Sequence, residues 1–340
     1  MTENQSGKIL VLGDITVDVV GRLESPLLVG GDSMSAALEF HLGGVGANTA
    51  LALARWRTPV RLLGSAGRDW FGEFALRALE REGVDTAFVS RPDTLPTGLI
   101  FIAVNPDGQR TIFGARGANE EVALPPDSRP WEGVAALHLV GYSLLTPSGA
   151  EAVGRLLAEA RQRGLPTSLD VGCNPSRQTP QAILQAAPQL DILIAAGDEA
   201  RRLTGRDDVR SACQALAAAG ARQVVVKRGA EGCWLRERGE WVQVPAFSVE
   251  AADTTGAGDV FTAALLRARL RGWSWPEAAV LANAAGALTA AVVGAQAPTM
   301  ARVVELLQSS RLPGQWDAAR ARVLEELAPE LNRTGSAAIA

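Results

Sequence analysis

The sequence predicts an α/β fold with a central, mostly parallel β-sheet. Short apolar segments recur along the chain, as expected for strands buried on both faces, at residues 8–13, 60–65, 136–140, 192–194 and 223–227. Longer segments of helical composition lie between or after them, at residues 71–82, 148–163 and 275–293. Ser148 is the expected N-cap of the second of these helices. This arrangement favours helices packed against a parallel sheet.

Size and composition limit the classes of function. The chain has 340 residues, of which 47% are hydrophobic, enough for one large domain. A net charge of −4 argues against a nucleic-acid-binding or anionic-membrane surface. Cys173, Cys213 and Cys233 lack CxxC spacing, which disfavours a zinc site and fits a reducing cytoplasm. No signal peptide is apparent, and the apolar run at residues 278–293 is short for a membrane span.

The most informative segment is DTTGAGD at residues 253–259, which precedes a run of helical composition. A Gly-rich turn that leads into a helix presents unpaired N–H groups at a positive dipole end, where anions bind. Gly256 and Gly258 carry no Cβ, so the backbone can approach a ligand closely. Asp259 lies just inside the helix start. It is either a helix cap or a base that takes a proton from a hydroxyl attacking the bound anion.

Two segments nearer the N-terminus point to a polar ligand. Residues 14–20 alternate polar and apolar side chains, which predicts a strand with one wet face. Asp14, Thr16 and Asp18 share that face and either accept hydrogen bonds from sugar hydroxyls or contact solvent. The segment GGVGAN at residues 43–48 then precedes a helix and ends in Asn48, both a donor and an acceptor. It follows the first strand by some thirty residues, too far for a dinucleotide fingerprint.

The segments GGVGAN at residues 43–48 and DTTGAGD at residues 253–259 together resemble the signatures of the ribokinase-like, or PfkB, family of carbohydrate kinases. The resemblance runs from about residue 8 to about residue 308. It implies a three-layer α/β/α sandwich with a central, mostly parallel sheet and a small β-sheet lid. The kinase domain would cover residues 1–310, with lid segments at about 14–40 and 95–118. Residues 311–340 would form a C-terminal helical extension and tail.

The resemblance implies ATP-dependent phosphorylation of a sugar hydroxyl. Asp259 would be the catalytic base, and the amides of Gly256, Ala257 and Gly258 would bind the developing negative charge. The implied cofactors are ATP and Mg²⁺, with K⁺ beside Asp253 as a further candidate. Glu199 would act on Mg²⁺ indirectly.

The sequence departs from the family near Glu199. Ala196 stands where the family has an asparagine, and a methyl group cannot order metal-bound water. Either Asp198 or a water replaces the missing amide, or activity is weakened.

The resemblance also assigns the two substrates to residues of this chain. Lys227 and Arg228 are candidates for phosphate contact or are solvated cations. Arg110 and Arg116 flank the lid and either meet an acidic substrate group or face solvent. Ile100, Ile102 and Phe113 offer an apolar surface to the sugar or simply pack. The expected sugar-binding residues are Asp14, Thr16, Asp18, Gly43, Gly44, Asn48, Ile102, Arg116, Tyr142 and Asp259, and the expected nucleotide-binding residues are Lys227, Gly229, Gly232, Thr254, Thr255, Gly256, Gly258 and Asn283.

The sequence leaves the acceptor open among ribose, fructose, 2-keto-3-deoxygluconate and a sugar phosphate. A nucleoside kinase of the adenosine or pseudouridine type is an alternative, although only 5% of residues are aromatic and few lie in the lid. A catalytically weak sugar sensor is a third, supported by Ala196 and opposed by the intact DTTGAGD motif. We expect a cytoplasmic homodimer joined through the lid, because pairing would cover exposed strand edges.

Overall fold

The computed structural model of the protein describes residues 7–28 and 30–335. Within them, eight strands form one sheet in the order β12-β11-β10-β9-β8-β7-β1-β4. All neighbours from β10 to β4 pair in parallel, and β11 and β12 complete the sheet as antiparallel strands. The strands of this sheet are β1 (Lys8–Leu12), β4 (Val60–Leu63), β7 (Val134–Val140), β8 (Thr167–Asp170), β9 (Ile192–Ala196), β10 (Gln223–Lys227), β11 (Cys233–Glu237) and β12 (Glu240–Val244).

Helices cover both faces of this sheet, which confirms the predicted α/β sandwich. One buried core joins the sheet to α1, α2, α8, α9, α10 and α11, and another joins it to α3, α5, α6 and α7. The helices are α1 (Val45–Arg55), α2 (Trp70–Arg81), α3 (Pro147–Gln162), α4 (Cys173–Gln178), α5 (Pro180–Ala186), α6 (Gly197–Thr204), α7 (Val209–Ala218), α8 (Ala257–Leu270), α9 (Trp275–Ala290), α10 (Met300–Ser309) and α11 (Gln315–Gly335). In the described part of the chain, none of them is long and apolar enough to cross a membrane.

A second sheet of four strands, in the order β3-β2-β5-β6, forms what we call the lid. Its strands are β2 (Thr16–Leu23), β3 (Ser35–Gly43), β5 (Gly98–Val104) and β6 (Arg110–Ala115). β2 pairs with β5 in parallel, and β3 and β6 add antiparallel edges. Nearly all of β3 and β6 is exposed, unlike the strands of the large sheet. The lid therefore stands on the domain with its outer strands in solvent.

The start of α3 corrects one prediction. Thr146, and not Ser148, is the N-cap, and its side chain accepts a hydrogen bond from the amide of Gly149. Pro147 takes the first helical position, where its fixed φ and missing N–H are tolerated. Ser148 instead donates a hydrogen bond to the carbonyl of Glu120, so it ties α3 to the segment after the lid.

The C-terminal helix α11 packs on the same core as α8, α9 and α10. Its buried residues recur at helical spacing, and they are Trp316, Ala319, Val323 and Leu327. This stripe faces α9 and α10, as expected for an amphipathic helix. The division of the chain at residue 310 stays a prediction, and residues 336–340 of the predicted tail lie outside the described residues.

Replacing Leu327 by alanine is expected to lower the free energy of unfolding by about 2–5 kcal/mol, because it leaves a cavity under α11. The midpoint of urea unfolding, followed by circular dichroism, measures this change. Glu326→Ala is the matched control, since Glu326 is exposed on the same turn, and it should change stability by no more than about 0.5 kcal/mol. An unchanged midpoint for Leu327→Ala would contradict the packing of α11.

Candidate active site

Polar side chains gather at the carboxyl ends of the parallel strands. Asp14 follows β1, Tyr142 follows β7, and Asp170 ends β8. Glu199 lies in the first turn of α6, directly after β9, and Lys227 ends β10. The order of the sheet changes direction at β1, which has β4 on one side and β7 on the other. Open α/β sheets bind ligands at such a switch point, so this edge is the candidate active site.

The N-terminus of α8 points into this site. Gly256 is the N-cap with φ of 74°, and no side chain caps the helix within the described residues. A Cβ atom on Gly256 would lie 2.3 Å from the Cβ of Ala295, so only glycine fits there. A Cβ on Gly258 would lie 3.4 Å from Nζ of Lys227. The helix start and the ammonium group therefore face the same space, and both favour an anion.

Asp259 joins the two glycine-rich motifs. Nδ2 of Asn48, in α1, donates a hydrogen bond of 2.8 Å to Oδ2 of Asp259, in α8. Burial raises the pKa of Asp259 to about 8, and the charges of Asp170 and Asp14 act in the same direction. The Asn48 hydrogen bond and the charge of Lys227 oppose this shift without cancelling it. The carboxyl group is thus tuned to exchange a proton near neutral pH.

Lys227 is part of a buried charged network. Its Nζ lies 2.7 Å from Oδ2 of Asp170, which also accepts a hydrogen bond of 2.6 Å from Oγ1 of Thr262. Burial alone would lower the pKa of Lys227, but the charges of Asp170 and Glu199 outweigh it and raise that pKa. The sequence analysis missed Thr262. It lies three residues after Asp259, and this spacing places both on one face of α8.

Glu199 is buried beside Lys227, and burial raises its pKa. Its Oε2 accepts a hydrogen bond of 2.7 Å from the amide of Ala196. Asp198 does not fill the place of the missing asparagine, because it is exposed and pairs with Arg201. Over the part of the chain that the structure describes, no group of three or more His, Cys, Asp or Glu could hold a metal by itself.

The predicted sugar-binding residues meet where the lid joins the domain. Oδ1 of Asp14 accepts a hydrogen bond of 3.2 Å from the amide of Gly46. Asp18 accepts one of 3.3 Å from Oγ1 of Thr16. A Cβ on Gly43 would lie 2.1 Å from Oδ1 of Asp18, so glycine lets β3 run beside that carboxylate. Burial, together with the charge of Asp14, raises the pKa of Asp18 to about 6. Gly44 is the N-cap of α1.

The lid presents a different set of residues on each face. Ile102 is buried and lines a cavity beneath the lid, whereas Phe113 stacks on Phe101 with ring centroids 5.2 Å apart. Across neighbouring strands, Phe40 pairs with Val19, Val19 with Phe101, and Phe101 with Phe113. Their side chains therefore share one face of the lid, which we call the outer face. Of the two roles considered for Phe113, the structure favours packing, because the strand register turns its side chain outward onto Phe101.

Arg116 and Tyr142 contact each other below the lid. Nη2 of Arg116 donates hydrogen bonds of 3.1 Å to the carbonyls of Asn119 and Tyr142, and its Nε lies 3.1 Å from Glu120. Burial raises the pKa of Tyr142 to about 12, so its hydroxyl keeps its proton. Arg116 is therefore engaged within the protein and positions the segment that carries Tyr142.

The predicted nucleotide residues fall into two groups. Gly229 and Gly232 form the turn between β10 and β11, and a Cβ on Gly232 would lie 2.0 Å from the carbonyl oxygen of Val244. Nδ2 of Asn283 donates to that same carbonyl and to that of Pro245. Asn283 is buried and shapes this wall of the site, since its amide group is used on the backbone. Arg228 pairs with Glu231 at 2.6 Å.

The second group leads into α8. Thr254 is exposed, and its carbonyl accepts a hydrogen bond from the amide of Ala257. Asp253 accepts hydrogen bonds from the amide and hydroxyl of Thr255. Arg110, from the lid, donates 2.8 Å and 2.7 Å hydrogen bonds to Asp253 and Thr255.

A cavity of about 600 Å³ lies between the lid and the loop that precedes α8. Its lining includes Asp18, Ile102 and Arg110 from the lid and Asp253 and Thr255 from the loop. Such a volume is typical of small-molecule sites. Asp259 is not one of the described residues that line this cavity, although it lies only four positions after Thr255 in the sequence.

A comparison with family profiles places residues 6–302 in the family described as pfkB family carbohydrate kinase. The chain belongs to the PfkB family of carbohydrate kinases. It is therefore an ATP-dependent kinase that phosphorylates a carbohydrate. The match covers both glycine-rich motifs and ends before α11.

Named relatives support this assignment. A ribokinase of Haemophilus influenzae is 30% identical over 310 residues, which covers 88% of this chain and 98% of the relative. A deoxyribokinase of Salmonella typhi is 28% identical over 258 residues, 74% of this chain and 82% of the relative. The structure of Arabidopsis thaliana ribokinase complexed with ribose and ATP superposes with a TM-score of 0.78 at 28% identity, covering 90% of this chain and 100% of that one. The kinase shares their fold, as predicted.

Asp259→Asn is expected to stabilise the kinase increasingly as pH rises. A carboxyl group with a raised pKa stabilises the folded state most below its unfolded pKa, and this contribution is lost as pH rises through the folded value. For Asp259 the window runs from 3.8 to about 8. Calorimetry at pH about 5 and about 9 should show a gain in melting temperature over wild type that is larger at the higher pH. A gain that is independent of pH would contradict the raised pKa of Asp259.

Proposed function

We propose that the kinase transfers the γ-phosphoryl group of ATP to a hydroxyl of a neutral sugar, with Asp259 as the general base. The observation that carries this proposal is the meeting of Asn48, Asp259 and the uncapped start of α8 at the switch point of the sheet. In phosphoryl transfer the protein contributes mainly positioning and charge stabilisation. The site offers both without a reactive cysteine or histidine.

Each group has a distinct role in the proposed reaction. Asn48 orients the Asp259 carboxylate, whose other oxygen takes the proton of the attacking hydroxyl. The amides of Gly256, Ala257 and Gly258 stabilise the negative charge that develops on the transferred group. Lys227, which Asp170 keeps protonated, adds a positive charge beside them.

The oxygen ligands on this edge fit a Mg²⁺ ion that arrives with ATP. Mg²⁺ usually keeps several waters and takes one or two protein carboxylates together with substrate phosphates. Glu199 is the candidate carboxylate and would act through water, since both oxygens of Asp170 accept hydrogen bonds from Lys227. When bound, the ion neutralises charge on the phosphates.

The nucleotide would lie along the wall made by residues 229–232 and by Asn283. The backbone comes close to this surface at Gly229, Gly232, Thr254 and Thr255. In this proposal Asn283 shapes the wall through its bonds to Val244 and Pro245.

The charges at the lid favour a neutral sugar over a sugar acid. Asp14 and Asp18 offer acceptors for hydroxyl donors. The two arginines that would bind an acidic substrate are already paired, Arg116 with Glu120 and Arg110 with Asp253. The Haemophilus influenzae relative is a ribokinase, and the Arabidopsis structure holds ribose with ATP. Ribose and fructose are therefore favoured over 2-keto-3-deoxygluconate and sugar phosphates.

We further propose that the kinase is a cytoplasmic homodimer joined through the outer face of the lid. This face carries apolar side chains that a monomer would leave in water, namely Leu38, Phe40, Phe101 and Phe113, exposed by 58, 40, 37 and 61%. Exposed apolar patches of this kind mark interaction sites. Packing the lid of a second copy against these four side chains would bury them and cover the edge strands.

Asp259→Asn is expected to reduce turnover by about 10²- to 10⁴-fold, because general-base assistance is lost. ATP binding, measured by calorimetry, should persist. Wild-type ATP consumption should depend on ribose or fructose in a panel that also holds 2-keto-3-deoxygluconate, a sugar phosphate and adenosine. Asp93→Asn is the control, since its side chain is 83% exposed and pairs with Arg68, which is not a predicted site residue. Unchanged turnover in Asp259→Asn would refute the base assignment, and turnover with adenosine alone would indicate a nucleoside kinase.

Phe113→Glu is expected to convert the dimer into a monomer, because it places a charge among the apolar side chains on the outer face of the lid. Sedimentation velocity measures the change. Gln109→Glu, in the turn just before β6, adds the same charge outside the sheet and should leave the dimer intact. A wild-type monomer at micromolar concentration would end the proposal.

A further inference from the structure

Arg110 crosses from the lid to the loop that leads into α8. It is the first residue of β6, and its side chain reaches over the cavity below the lid. Nη1 lies 2.8 Å from Oδ1 of Asp253 and 2.7 Å from Oγ1 of Thr255. The two contacts join Arg110 to residues that lie 143 and 145 positions later in the sequence. Asp253 is the residue at which the family resemblance implies K⁺.

Both carboxylate oxygens of Asp253 already accept hydrogen bonds. Besides Arg110, Oδ1 accepts from the amide and the hydroxyl of Thr255, and Oδ2 accepts a hydrogen bond of 3.0 Å from the amide of Gly294. The nearby carbonyl of Ala290 accepts from the amides of Ala252 and Asp253, at 2.8 Å and 3.1 Å. A K⁺ site needs several oxygens that replace the hydration shell of the ion. The residues present here do not fit such an ion.

Charge argues in the same direction. Nη1 of Arg110 forms an ion pair with Oδ1 of Asp253 at 2.8 Å, and the side chain of Asp253 is only 18% exposed. The carboxylate thus already has a cationic partner. A second cation at this place would lie next to the guanidinium and be repelled by it.

We propose that the Arg110 guanidinium takes the place of a monovalent cation beside Asp253, so that the kinase works without K⁺. This inference rests on the proposed function of the α8 N-terminus as the phosphoryl-binding site. Arg110 is a positioning residue in this proposal. It holds Asp253 and Thr255, and Thr255 directly precedes Gly256, the N-cap that sets the direction of the amides. Because Arg110 belongs to the lid, the same contact also joins the sugar side to the phosphate side.

The test compares K⁺ with choline at constant ionic strength. Wild-type kcat/KM is expected to change by less than about twofold between the two salts, while Arg110→Ala should lose about tenfold or more in choline, because its loop is misplaced. K⁺ should restore part of that loss, since the variant frees an oxygen site for the ion. Arg110→Lys keeps a positive charge and should lose less than Arg110→Ala. Arg77→Ala, on the surface of α2, is the control for removing an arginine.

Thermal unfolding in the two salts gives a readout that does not need a substrate. We expect a K⁺-specific rise in melting temperature for Arg110→Ala and none for wild type. Activation of wild type by K⁺ of about tenfold, or 1.4 kcal/mol, would overturn the proposal. An Arg110→Ala variant without a K⁺-specific response in either assay would overturn it as well. If no sugar is phosphorylated at all, the proposed function fails, whereas the melting experiment still tests the replacement of K⁺.

Discussion

The hydrogen bond from Asn48 to Asp259 is the contact on which the site depends. It closes a sequence separation of 211 residues and joins the N-termini of α1 and α8 at the switch point of the sheet. Both helices begin at a glycine with positive φ, so the backbone approaches the ligand space where a side chain would obstruct it. The carboxyl group that we propose as the base is thereby held beside the amides that we propose bind the anion.

Burial makes this carboxyl group a weak acid, and the surrounding charges tune it. Asp170 and Asp14 raise the pKa of Asp259, and Lys227 lowers it. The same Asp170 keeps Lys227 protonated and accepts a hydrogen bond from Thr262. The charge of Asp170 therefore raises the pKa of both Asp259 and Lys227. Substitution of any one member would change the charge available for phosphoryl transfer, even where it contacts no substrate.

The lid has one role on each face. Its inner face carries Asp18 and Ile102 above the cavity, and its first residue on β6, Arg110, reaches the loop before α8. Its outer face exposes apolar side chains, including Phe101 and Phe113. Strand alternation separates these roles, because neighbouring side chains on a strand point to opposite faces. In the function proposed above, the inner face of the lid contacts the sugar, Arg110 links the lid to the phosphate side, and the outer face meets a second copy.

The sequence by itself determined the family, the α/β class, most of the strands and the two glycine-rich motifs, because these depend on local pattern and spacing. It misplaced the cap of α3, since a cap depends on where Pro147 starts the helix, and it left the direction of Phe113 open, since a strand face depends on register. Only the tertiary structure decided that Arg110 pairs with Asp253. Such contacts are set by how distant segments fold together, which no local pattern encodes.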